Sequence, residues 1–237
     1  MRPLSSPAEL DTAADALAAA GGTGFLLSGG CDRDGKVPLS PYLGAVRKIK
    51  ERTDLRINLH TGLVGEEEAR SLLSSGADAF SVDVLQDPRT IIETLHLQAT
   101  PADYARTLRL LEKGRLVPHV CVGLQSEAGE AATIDLLSTI KISSIIVLGL
   151  VPSPGTPLAN QAFEPTRVVR FIAAAARKLD VPILLGCMRP RSDRSLELEA
   201  IRAGASGIVN PSAGAVELAR AEGLKVEERE ECCALYR

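Results

Sequence analysis

The sequence predicts an α/β fold, a barrel of parallel strands with seven strands present. Three observations carry this. Short apolar runs alternate with helix-like segments from end to end, the pattern of a parallel sheet built with crossover helices. Most of those runs are continuous rather than alternating, as expected of strands covered on both faces. Trp is absent and aromatics make up only 3% of the chain, so the core must be assembled from Ala, Leu, Ile and Val. A closed barrel of this kind has eight strands. The count stops at seven and the chain opens on a helix, so the first strand is missing and the barrel is expected to be incomplete, with an apolar edge.

Taken in order, Ser6-Pro7-Ala8-Glu9 reads as N-cap, N1 proline and N3 glutamate of an Ala-rich helix that stops at Gly21-Gly22. A strand at 24–28 follows. Ser40-Pro41 opens a second helix ending near Thr53, and 55–59 is the next strand. A short helix at 65–75 leads to a strand at 79–84. Asp87-Pro88 and Thr100-Pro101 each open a helix, one more than the crossover needs. Strands at 117–122, 144–151, 181–185 and 207–209 alternate with helices over 128–140, 164–179, 195–203 and 214–222. No linker or composition shift divides the chain, so residues 1–237 form one domain with a short Cys-Cys tail.

A net charge of −3 supplies no basic footprint for nucleic acid. No apolar run is long enough to span a membrane. The opening Met-Arg-Pro-Leu-Ser-Ser-Pro lacks the apolar stretch of a signal peptide. Five unevenly spread cysteines do not make a secreted disulfide scaffold, so a reduced cytoplasmic compartment is expected.

In a parallel barrel the chemistry sits where the strands end. Those ends carry Ser28-Gly29-Gly30-Cys31, His60-Thr61-Gly62, Ser81-Val82-Asp83, His119 with Cys121 and Gly123, the run 152–158, Gly186-Cys187-Met188-Arg189-Pro190-Arg191, and Asn210-Pro211-Ser212. Gly29-Gly30 reads equally as a tight turn or as a place where a ligand approaches bare backbone. Asp83 in an apolar run must face a polar ligand or cap the next helix, because an unpaired buried carboxylate is costly. His60 and His119 read as ligand or base, or as hydrogen-bonded structural histidines. Arg189 and Arg191 offer planar donors to an anionic substrate, or form a surface loop stiffened by Pro190. Cys31, Cys187 and Cys233 (or Cys232) are candidate ligands of one metal centre if the tail folds over the mouth. The alternative is that they are small buried hydrophobes, which is the reading for Cys121.

These strand-end residues resemble those of radical S-adenosylmethionine enzymes, and among them the biotin-synthase relatives. Ser28-Gly29-Gly30 resembles the family's Gly-Gly-Glu turn, with Cys31 in place of the acid. The segment 119–124 is similar to its GxIxGxxE motif, with His119 for the first glycine and Glu127 one residue late. The run 150–158, ending Gly-Thr-Pro-Leu, is similar to a biotin-synthase stretch. With Gly186-Cys187-Met188-Arg189 and the final Cys232-Cys233, the set looks like the two-component, archaeal-type lipoyl synthases. The resemblance implies a radical S-adenosylmethionine barrel with S-adenosylmethionine held near Gly29, Gly30, Asp83 and Gly123. It implies a [4Fe–4S] cluster, sulfur insertion into an octanoyl chain on a lipoyl-domain protein, and a homologous partner subunit. Cys31, Cys187 and Cys233 would then hold a second cluster, with Arg189 beside it or on the substrate.

The family's CxxxCxxC is not in this sequence. One explanation covers that and the missing strand: the chain starts about 40–60 residues inside the protein, given the usual size of a βα unit. This form alone is expected to be inactive. The other reading is a non-catalytic subunit that scaffolds an active homologue. An aldolase-like barrel would want a lysine inside a strand, and none is there.

Overall fold

The computed structural model describes residues 3–162, 164–190, 195–230 and 232–236. Seven strands form one parallel sheet in sequential order: β1 (Gly24–Leu27), β2 (Arg56–His60), β3 (Ala79–Asp83), β4 (Leu116–Val122), β5 (Ile145–Gly149), β6 (Ile183–Leu185) and β7 (Gly207–Ile208). No ladder joins β7 back to β1 among the described residues, so the sheet is a curled half-barrel. Helices α1 (Pro7–Ala19), α2 (Leu43–Arg52), α3 (Glu66–Leu73), α4 (Pro101–Leu111), α5 (Glu127–Leu137), α6 (Pro165–Lys178), α7 (Ser195–Arg202) and α8 (Ala213–Ala221) complete it.

Local chemistry accounts for the helix starts. Ser6 accepts the Glu9 N–H, and the Glu9 carboxylate returns to Ser5. Thr100 and Asp103 form a reciprocal capping box at α4. Ser126 and Ser212 cap α5 and α8. Asp87-Pro88 does not open a full helix. It leads into a single wide π-helical turn, Thr90–Thr94, ahead of α4.

Strand alternation divides the core into two layers. Ile57, Leu59, Phe80, Val82, Val120, Val122, Ile145, Val147, Ile183 and Leu185 point outward. There they pack against helix residues such as Ile49, Leu72, Leu108, Leu137, Ile172 and Leu196. The inward set is smaller: Ala79, Val117, Ile146 and Leu184 surround Ala234 and Leu235. The tail therefore lies inside the curl rather than across the mouth. On β1, Leu26 faces inward between Phe25 and Leu27 and is 39% exposed.

Candidate active site in the barrel lumen

Above the tail the inward positions turn polar. On β2 they are Asn58 and His60, on β3 Ser81 and Asp83, and on β4 His119 and Cys121. Parallel register sets His60 beside Ser81, and Asp83 beside His119. The side chains then meet across the ladder. His60 Nε2 lies 3.3 Å from Asp83 Oδ2, and the His60 and His119 ring centroids are 5.2 Å apart. Ser81 Oγ donates to Asn58 Oδ1 at 3.0 Å, which turns the Asn58 amide so that Nδ2 donates to Cys232 Sγ at 3.7 Å.

The electrostatics are graded by depth. Burial works against the Asp83 carboxylate, but the hydrogen bond and charge of His60, helped by His119, hold its pKa below the ordinary value. Its side chain remains 66% exposed toward the opening, so it is an ionised acceptor available to a ligand. Burial likewise disfavours charged His60, yet Asp83 more than offsets this and raises its pKa. His119 is the opposite case. Burial brings it down to about 4, so it is neutral at physiological pH. Its Nδ1 lies 3.1 Å from the Val117 carbonyl. A carbonyl only accepts, so the ring proton is on Nδ1 and Nε2 is left with a lone pair. Burial, then Asp83, pushes Cys121 up to about 12, so it stays a thiol at neutral pH, although it lies half-buried on the lumen wall rather than sunk in the apolar core as expected.

Two clasps shape the mouth. At the end of β4, Gly123 has φ +92°, a conformation that glycine adopts without strain. Its N–H donates to Glu130 Oε1 at 2.8 Å and its carbonyl accepts from Gln161 Nε2 at 2.6 Å. Arg167 grips Glu130 with Nε and Nη2 at 3.0 and 2.9 Å. A cleft of about 180 Å³ lies among Val122, Gly123, Leu150, Gln161, Glu164 and Arg167. Sequence comparison pointed to Glu127, but Glu130 on the buried side of α5 holds the turn. The run 155–158 leads directly to Gln161, which joins two motifs that the sequence treats separately.

The second clasp corrects the expectation for Arg189. Its side chain is 1% exposed and is consumed inside the protein. It donates to the Gly186, Val209 and Asn210 carbonyls and pairs with Glu197, whose other oxygen accepts the Ser212 N–H at 2.7 Å. It ties the mouth end of β6 to that of β7 and offers no planar fork to a substrate. Arg191 lies outside the described residues.

The predicted thiol triad is not assembled either. Cys31 and Cys187 are both exposed beyond strand ends at the same mouth, but in different sectors. Cys31 acts electrostatically on Tyr104 of α4, whereas Cys187 acts on Cys233. Among the described residues no three His, Cys, Asp or Glu side chains gather to hold a metal. Cys232 and Cys233 do come together, as neighbouring half-buried thiols inside the curl. The glycines after β1 are not required by packing. A Cβ on Gly30 would meet nothing within 4 Å, and one on Gly29 only Val37 Cγ1, at 3.3 Å. The adjoining loop is firm, because Asp32 Oδ1 accepts the Asp34 and Lys36 N–H groups and Lys36 bridges to Gly62.

No protein-family profile matches the chain. Biotin synthase from Persephonella marina (strain DSM 14350 / EX-H1) is 30% identical over 137 residues, 54% of this chain and 39% of that protein. The chain thus spans about two fifths of the length of this relative. Among solved structures, the FeFe-hydrogenase maturase HydG from Carboxydothermus hydrogenoformans superposes with a TM-score of 0.67 at 17% identity, over 94% of this chain and 60% of that one. Methylornithine synthase (PylB) gives 0.66 at 14% identity, over 94% and 73%. A deoxyribose-phosphate aldolase barrel from Coccidioides immitis gives 0.51 at 12% identity, over 94% and 82%. Over those 137 residues the chain is similar to biotin synthase, and its curled half-barrel has the fold of HydG and PylB.

Proposed function

We propose that this barrel belongs to a radical S-adenosylmethionine enzyme that inserts sulfur at unactivated C–H positions, as lipoyl synthases do. Its substrate would be an octanoyl chain on a lipoyl-domain protein, handled in the cytoplasm beside a homologous partner subunit. One observation carries the cofactor side of this reading. Asp83 is an ionised, open acceptor in the lumen wall, held by His60 below two glycine turns that packing does not explain or that a clasp holds in place.

The lumen residues fit S-adenosylmethionine. Asp83 would accept from its hydroxyl or amino groups, and Gly29 and Gly30 leave backbone open to it, while Gly123, whose own N–H and carbonyl are taken by Glu130 and Gln161, would only keep a side chain out of its way. When bound, the cofactor supplies a carbon-centred radical able to take hydrogen from an unactivated carbon. His60 fixes the Asp83 carboxylate, neutral His119 presents a lone pair, and the clasps hold the glycine turn and the β6–β7 mouth. The same residues do not fit a four-iron cluster, since no three-ligand group exists among those described. Among the described residues the barrel supplies the cup for the cofactor.

Calorimetric titration of the chain with S-adenosylmethionine tests the cup. Asp83→Ala should weaken binding by about tenfold or more, the scale of one lost charge-assisted contact. Equal affinities would discard the assignment. Sulfur insertion is tested by supplying the protein and a partner homologue with iron, sulfide, S-adenosylmethionine, a one-electron reductant and an octanoylated lipoyl-domain protein, and weighing the product. A mass gain of sulfur supports it, and an unchanged octanoyl group refutes it.

A further inference from the structure

The inward, lower ends of β3 to β6 form an apolar pit, and the chain fills it with its own tail. Ala79, Val117, Ile146 and Leu184 line the pit; Ala234 and Leu235 sit inside at 0% and 1% exposure. Apolar contact is not all that seats them. Arg56 Nη2 on β2 donates to the Leu235 carbonyl at 2.8 Å, and Arg115 Nε, just before β4, to the Ala234 carbonyl at 3.3 Å. Thr23 Oγ1 donates to the Glu230 carbonyl at 3.3 Å as the segment enters. Asn58 reaches Cys232 from the wall. Directly above stand His60, Asp83 and His119. The lumen is thus a cup with polar walls and a floor made from residues 232–236.

We infer that this segment is the floor that sets how deeply a substrate enters, with Leu235 as the specificity-determining residue. Its side chain occupies the aliphatic pit that an alkyl chain would otherwise fill, so a substrate is met at the height of Asp83 and Cys232 and goes no deeper. The inference rests on the acyl-chain reading above for the class of substrate, but the floor itself stands on contacts already seen.

The test needs neither iron nor cofactor, so its failure is separate from failure of the proposed activity. Decanoate is titrated by calorimetry into the intact protein and into Leu235→Ala. Each further buried methylene tightens binding by roughly fourfold, so opening the pit should improve affinity by about tenfold or more. Unchanged affinity in a folded Leu235→Ala protein overturns the inference. Should that variant fail to fold, hydrogen exchange of the intact protein decides, read by mass spectrometry on the peptide that carries the Leu235 and Tyr236 amides, which donate to the Cys232 and Cys233 carbonyls. With the floor seated these amides exchange at least about tenfold more slowly than unprotected amides, and Arg56→Gln with Arg115→Gln removes most of that difference. Exchange at the unprotected rate in the intact protein sinks the idea.

Discussion

The two faces of one sheet do different work. Outward side chains of β2 to β6 are aliphatic or Phe almost without exception, and they meet the helices in a continuous core. Inward side chains of the same strands change character along their length, aliphatic at the lower ends and ionisable or polar near the mouth. The outer face buys stability through packing. The inner face uses that rigidity to hold two imidazoles 5.2 Å apart with pKa values shifted in opposite directions, His60 up beside Asp83 and His119 down through burial.

Substitutions on each face sharpen this contrast. The largest effect belongs outside: Ile172→Ala, at a fully buried position on α6, should cost about 2–5 kcal/mol by urea denaturation. A cost below about 1 kcal/mol would mean that the helix layer is not what holds the sheet. The next effect is a pH dependence from inside. The folded pKa of His119, about 4, lies below its unfolded value near 6.5, so the unfolded chain takes up the proton first as pH falls. Its stability contribution is present above about pH 6.5 and is lost on descent toward 4. Between pH 7 and pH 5 this amounts to about 2 kcal/mol, and His119→Gln should flatten that part of the curve. An unaltered curve would show that His119 is not buried as a neutral ring.

The smallest change in stability should come from Asp83→Asn, within about 1 kcal/mol because the carboxylate is largely open. The same variant should move His60 the other way from its present shift. Without Asp83 only burial remains as a large influence, so the imidazole pKa falls below its ordinary value, which NMR titration follows. If Asp83→Asn instead costs as much as Ile172→Ala, the inner wall is structural and the division of labour fails.

The outer face was readable before any coordinates because its signals are local. Apolar runs, the Ser6 N-cap and the N1 prolines at 7 and 101 each reside within a few residues. On the inner face His60, Asp83, His119 and Cys121 could each be singled out, but that three of them touch depends on register between strands. Asn58 was passed over and Ser81 was given no role of its own, although the period-two recurrence of polar residues across β2 to β4 was there to be seen. Arg189 looked available because its neutralising partner, Glu197, lies on the next helix, eight residues on. Glu130 was obscured by Glu127, three residues earlier and nearer the family spacing, and nothing local ties it to Arg167. The tail read as charged residues followed by cysteines, with no sign of the strands that would receive it.

That last contact has a kinetic consequence. Each strand pairs with its successor, so the sheet can zip up stepwise through neighbours in sequence. The bond from Arg56 to Leu235 instead closes a loop of 179 residues. Folding should therefore run through a species whose helices are already docked while water still occupies the middle of the curl. Protection of the Leu235 amide from hydrogen exchange would arrive after that of Ile57 and Ile146.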